Sequence, residues 1–156
     1  MKVLLVCSGN TCRSPMAAAI LRKLAQDSAV QIDVDSCGLD AIEGKPAWDQ
    51  AIKAMSERGL DLTGHRTKPF KLELAQEADL ILTMEAWQRD RILQKWPSLA
   101  SKTFTLSGFA QDSTEDVDDP FGQPLEEYRR TADKLQQLLE LALNRIRAQT
   151  SREAGS

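Results

Sequence analysis

The chain is poor in metal-ligating and redox residues. It has one histidine and three cysteines in 156 residues, and their spacing fits no zinc site. The odd cysteine count leaves at least one thiol unpaired within the chain and is consistent with a reducing compartment. Long apolar runs are absent too. None approaches the ~20 residues needed to span a bilayer, and Met1-Lys2 leads straight into a strand-like segment, not into a signal peptide. A cytoplasmic protein with no membrane partner is expected. Excess positive charge is missing as well: the formal net charge is -3, which gives no global attraction to nucleic acid. No internal repeat or low-complexity linker breaks the chain. With 42% hydrophobic and 28% charged residues, residues 1–149 suit a single domain with its own core, followed by a polar, frayed tail at 150–156.

What the chain does have is one stretch, Val6-Cys7-Ser8-Gly9-Asn10-Thr11-Cys12-Arg13-Ser14-Pro15. Before it, Val3-Leu4-Leu5-Val6 reads as a strand buried on both faces. After it, Pro15 suits a first helical turn, and Met16, Ala19, Ile20, Leu21 and Leu24 form a stripe at helical spacing. A strand-to-helix turn gathers unpaired backbone N–H groups at the positive end of a helix, where an anion fits. No Gly-Lys-Ser/Thr follows, so this is not the nucleotide-binding P-loop. Cys-x5-Arg-Ser remains. Amides and a guanidinium stabilise negative charge on the Cys7 sulfur, making it a candidate nucleophile. Arg13 offers a planar fork for phosphoryl oxygens, and Ser14 is placed to donate to the sulfur as a leaving group. Gly9 and Asn10 tolerate the left-handed backbone that such a cradle needs.

Further along, Gln31 to Ser36 alternates like an edge strand that Cys37-Gly38 breaks, and a helix is expected over 47–58, ended by Gly59. A polar connector over 61–69 carries His65. A short helix over 71–76 precedes a strand over 78–84, then a helix over 85–94 whose Trp87, Ile92 and Leu93 are expected in the core, then a last strand over 102–106. Residues 107–124 read as one acidic loop, and Pro124 opens the longest helix. Alternating strands and helices imply an α/β fold, a parallel sheet covered on both faces, with its ligand site beyond the carboxyl ends of the strands.

A thiolate that attacks a phosphoryl group needs an acid to protonate the leaving group. Asp119 is the candidate, since Pro120 restricts its backbone; Asp118 lies beside it. Asp112, Glu115 and Asp116 are expected to be solvated. Asp40, in the loop after the second strand, is expected to line the crevice and offer a second carboxylate.

The segment Cys7 to Ala17, together with Asp119-Pro120-Phe121-Gly122, resembles the low-molecular-weight protein phosphatases, and most closely the bacterial arginine phosphatases. That resemblance implies a three-layer, flavodoxin-like (Rossmann-like) sandwich on a four-stranded parallel sheet ordered 2-1-3-4. It makes Cys7, Arg13 and Asp119 catalytic, and Ser8, Gly9, Asn10, Thr11, Cys12, Arg13 and Ser14 phosphate-binding. Asn10, Ser14, Ser36 and His65 would brace the loop, and Thr11 and Phe121 would set specificity. Phosphorylated proteins are the implied substrates and inorganic phosphate the product of a monomeric enzyme. No cofactor is implied, and no metal, because amides and Arg13 already supply the positive charge.

Phosphoarginine is favoured over phosphotyrosine, since a hydroxyl-bearing rim and Asp119 suit a planar cation. A phosphotyrosine phosphatase of the same family is the alternative. A thiol-dependent arsenate reductase is more distant, because relay thiols are limited to Cys12 and Cys37. A non-catalytic phosphate-binding module would be expected to have lost Cys7, Arg13 or Asp119. Cys7 and Cys12 share one loop, so either they form a reversible disulfide or Cys12 packs beneath the loop.

Overall fold

A computed structural model describes residues 1–155. In chain order the elements are β1 (Lys2–Cys7), α1 (Arg13–Asp27), β2 (Asp33–Gly38), α2 (Asp49–Ser56), α3 (Leu72–Glu77), β3 (Leu80–Thr83), α4 (Ala86–Lys95), a 3-10 turn (Pro97–Lys102), β4 (Thr103–Thr105), α5 (Leu106–Gln111) and α6 (Leu125–Gly155). The four strands are all parallel in the order β2-β1-β3-β4, which is the expected 2-1-3-4 sheet with β2 at an edge.

Alternation along β1 divides the core in two. Val3, Leu5 and Cys7 join Met16, Ile20, Leu82, Tyr128 and Leu139 on the face covered by α1 and α6. Leu4 and Val6 join Ala75, Ile81, Ile92 and Leu99 on the other. A strand whose side chains point to opposite faces must be apolar throughout when both faces are covered, and this is why β1 reads as an unbroken hydrophobic run.

Several elements depart from the sequence pattern. β2 continues through Cys37 and Gly38 instead of stopping at Ser36, and Gly38 pairs with Cys7. The expected loop over 107–124 begins as α5, capped by Thr105 Oγ1 accepting from Gly108 N at 3.0 Å. A Cβ on Gly108 would sit 2.7 Å from that same oxygen, so this glycine permits a tight helix start. Trp87 is not in the core: the residue is 43% exposed, unlike Ile92 in the same helix. α6 runs on to Gly155, through most of the stretch whose polar composition suggested fraying.

Candidate active site

β1 ends at Cys7 and α1 starts at Arg13, so residues 8–12 turn between them beyond the carboxyl edge of the sheet. No side chain caps the start of α1, which leaves its first amides available to an anion. Asn10 sits in left-handed backbone at φ 57° and is fully buried. Its Nδ2 donates to Ser14 Oγ (2.8 Å) and Ser36 Oγ (3.0 Å), and its Oδ1 accepts from Lys68 N (3.0 Å). Its carbonyl accepts from His65 Nε2 at 2.8 Å. Burial pushes the His65 pKa down, with Arg22, Lys68 and Arg66 adding to the effect against the hydrogen bond to Asn10. The four residues expected to brace the loop, Asn10, Ser14, Ser36 and His65, are therefore joined in one network.

Ser14 Oγ lies 2.9 Å from Cys7 Sγ. Because Ser14 accepts from Asn10, its own proton is left two acceptors, the Cys7 sulfur at 2.9 Å and, farther off, Cys37 O at 3.4 Å. The loop is also held from below. A Cβ on Gly38 would lie 2.5 Å from Ser8 O and 2.8 Å from Asn10 N, so only glycine lets β2 approach this closely.

Arg13 is 2% exposed. Its Nη1 donates to Val117 O at 2.8 Å and meets Glu85 Oε2 at 2.9 Å, while Nη2 lies 3.6 Å from Asp119 Oδ2. Val117 N donates to Met84 O at 2.9 Å, pinning the Asp119 segment to the end of β3. Glu85 caps α4 in a reciprocal capping box with Gln88. Gln88 is buried, and its Nε2 donates to Ser8 Oγ at 3.2 Å. The start of α4 thus grips both the loop and Arg13.

Cys7, Gly9, Thr11, Cys12, Arg13, Asp119 and Phe121 line one cavity of about 170 Å³. Larger hollows of about 290 to 720 Å³ are lined by no cysteine. At the mouth, Trp48 N donates to Thr11 O at 2.9 Å, and the Trp48 and Phe121 rings stand 5.1 Å apart. A nucleophile, a guanidinium and a half-exposed carboxylate facing one small cavity are the parts of phosphoryl transfer through a covalent intermediate. All three cysteines are free thiols. Cys12 Sγ lies 3.5 Å from Tyr128 OH, and burial pushes the Cys12 thiol up.

The low molecular weight phosphotyrosine protein phosphatase family matches residues 2–152. The chain belongs to this family. A protein-arginine-phosphatase of Geobacillus stearothermophilus is 36% identical over 95% of this chain and 97% of its own. The low molecular weight protein-tyrosine-phosphatase PtpB of Staphylococcus epidermidis is 34% identical over 90% of this chain and 95% of its own. In structure, a cysteine-to-serine mutant of the YwlE arginine phosphatase with a phosphorylated active-site serine superposes with a TM-score of 0.92, at 33% identity, over 94% of this chain and 96% of that one.

Asp40, expected in the crevice from its place after the second strand, lies elsewhere. Its carboxylate is fork-paired with Arg91 at 3.0 and 3.1 Å and does not line the cavity. Asp116 and Glu115 are not simply solvated: Asp116 accepts from Ala86 N at 2.9 Å and Glu115 pairs with Lys134 at 2.9 Å. Glu85, Gln88, Trp48 and Gly38 escaped the sequence reading. Of these, Glu85 and Gln88 carried a signal, the acid and amide of a capping box three residues apart. Trp48 carried none, because its role comes from a contact with Phe121 that spans much of the chain.

Proposed function

We propose that this chain is a cysteine-dependent protein phosphatase that favours phosphoarginine. The observation that carries the reading is the convergence of Cys7, Arg13 and Asp119 on one cavity. Cys7 Sγ attacks phosphorus as the bond from phosphorus to the side-chain nitrogen breaks, and Asp119 delivers a proton to the departing guanidine. Arg13 and the amides of residues 8–14 hold the three phosphoryl oxygens. Asp119 then takes a proton from water as the water attacks the thiophosphate; phosphate leaves and Cys7 is regenerated, with Ser14 donating to the sulfur. The phosphorylated serine in the YwlE mutant supports a covalent phosphoenzyme.

Thr11 and Asp119 on the cavity wall favour a cationic, hydrogen-bonding side chain, and the arginine-phosphatase relatives agree with this. One observation favours phosphotyrosine: the Trp48–Phe121 pair offers aromatic surface for a phenol. Turnover of matched phosphoarginine and phosphotyrosine peptides separates the two readings. The arginine reading expects the phosphoarginine peptide to win, and Thr11→Ile to shift the ratio towards tyrosine. A wide margin for tyrosine in the wild type would refute it.

The enzyme would act as a monomer in the cytoplasm. Among the described residues no helix is long and apolar enough to cross a membrane. Arsenate reduction is disfavoured, since Cys12 and Cys37 are both buried and burial pushes both thiols up.

A further inference from the structure

Between β2 and α2, residues 39–48 form neither helix nor strand, yet they carry Trp48 to the cavity mouth. The two ends of this loop are tied to the phosphate-binding turn: Asp40 N donates to Ser8 O and Trp48 N donates to Thr11 O, both at 2.9 Å. Its middle is tied to one residue, Thr67. Gly44 N donates to Thr67 O at 2.8 Å, and Thr67 N donates to Lys45 O at 2.7 Å. Thr67 Oγ1 accepts from Lys45 N at 2.9 Å and donates to Ile42 O.

Thr67 is 2% exposed, whereas its partner Ile42 is 68% exposed. Ile42 and Lys45 belong to an exposed stretch, where water could satisfy their backbone groups. What the buried hydroxyl adds is a fixed position for the loop. That position is registered to the phosphate cradle. On either side of Thr67, His65 Nε2 donates to Asn10 O at 2.8 Å and Lys68 N donates to Asn10 Oδ1 at 3.0 Å. One short strap therefore holds the cradle with residues 65 and 68 and the rim loop with residue 67.

We infer that Thr67 is a positioning residue for the rim: it holds the 42–48 loop so that Trp48 stands against Phe121 at the cavity mouth, and so sets how firmly the arm carrying a phosphoryl group is gripped. This rests on the phosphatase reading. Thr67 acts through Trp48, whose ring lies 5.1 Å from that of Phe121, and touches no reacting atom itself.

The test measures dissociation constants by titration calorimetry for two probes. Inorganic phosphate fills the cradle and has no arm; benzylphosphonate adds a ring that extends towards the mouth, where Phe121 and Trp48 stand. The ratio of the two constants isolates the grip on the arm. Thr67→Val keeps the shape and removes the hydroxyl. It should weaken benzylphosphonate by about threefold to tenfold, the range of one aromatic contact, and leave phosphate within about twofold of the wild type. Thr67→Ser should retain the wild-type ratio. Gly44→Ala disturbs the same loop from its exposed side, because Gly44 sits at φ 86° and an added Cβ meets no atom within 4 Å. It should shift the ratio in the same direction, and it carries the test if Thr67→Val does not fold. Trp48→Ala should lower the grip by itself, and adding Thr67→Val to it should change the ratio no further.

A ratio that stays at the wild-type value in Thr67→Val and Gly44→Ala, or in Trp48→Ala, would overturn the inference. So would a parallel loss of phosphate affinity, which would place the effect in the cradle through Asn10. A Thr67→Ser variant as impaired as Thr67→Val, or losses that add in the double variant, would overturn it too. Hydrolysis of an aryl phosphate by the wild type reports on the phosphatase reading separately. Its absence would sink that reading while the binding ratios still decide the role of Thr67, and hydrolysis with unmoved ratios would do the reverse.

Discussion

Glu85 Oε2 sits 2.9 Å from Arg13 Nη1, and with Val117 O on the same nitrogen it engages one corner of a buried guanidinium. Nη2 lies 3.6 Å from Asp119 Oδ2, and both residues line the cavity. Removing the carboxylate should let the fork rotate. Glu85→Ala is expected to lower kcat/KM for an aryl phosphate by roughly tenfold to a hundredfold, the size of about 1–3 kcal/mol lost from a charge-assisted hydrogen bond. Glu85→Gln, which keeps an acceptor, should recover part of it. Steady-state kinetics on both variants decide, and an unchanged Glu85→Ala would mean that Val117 alone orients Arg13.

Gly38 tests the close approach of β2 to the loop. Gly38→Ala places a methyl 2.5 Å from Ser8 O and 2.8 Å from Asn10 N, both backbone atoms with little room to yield. A stability loss of about 1–3 kcal/mol is expected from the overpacking, together with a clear fall in kcat as the cradle distorts. Denaturant unfolding and kinetics on the same sample measure the two. A variant as stable and active as the wild type would show that the loop tolerates displacement.

His65 gives a pH signature. Its folded pKa is held below the ordinary value of 6.5, first by burial, so the unfolded chain binds the proton more readily than the folded one. Stability from this group is therefore complete above about pH 6.5 and falls as pH drops below that value towards the folded pKa. His65→Gln, which retains an N–H donor for Asn10 O, should flatten this part of the stability profile. Denaturant midpoints between pH 5 and pH 8 for both proteins check it, and identical slopes would contradict the assignment.

Much of the fold was legible because its strongest signals are local. The run Val3 to Val6, the stripe from Met16 to Leu24 and the long amphipathic α6 each show their environment through composition and period, and their alternation dictates a parallel sheet. Cys7, Arg13 and Ser14 were legible for the same reason, since one loop places all three. Asp119 was legible through Pro120 and the motif that follows it.

What was missed depends on distant chain segments meeting. β2 extends through Gly38 because backbone from the Ser8–Asn10 turn passes over it, which alternation cannot reveal. Trp87 has the composition of a core residue but occupies the solvent face of α4, while Ile92 takes the buried one. Asp40 was placed in the crevice on chain order alone, whereas Arg91 on α4 pairs with it. α5 was lost in an acidic stretch because its stability rests on the Thr105 cap, on Phe109 stacking against Phe104 and on the Arg145 guanidinium over the Phe109 ring.

The most direct test of the account is the covalent intermediate itself. The enzyme is mixed rapidly with an aryl phosphate, quenched within the first turnover, and the attached phosphoryl group located by peptide mass spectrometry. The account predicts a burst of phenol release matched by one phosphoryl group per chain on Cys7, with no burst and no turnover in Cys7→Ala. Turnover that persists in Cys7→Ala, or a phosphoryl group on any residue other than Cys7 in the wild type, would contradict it.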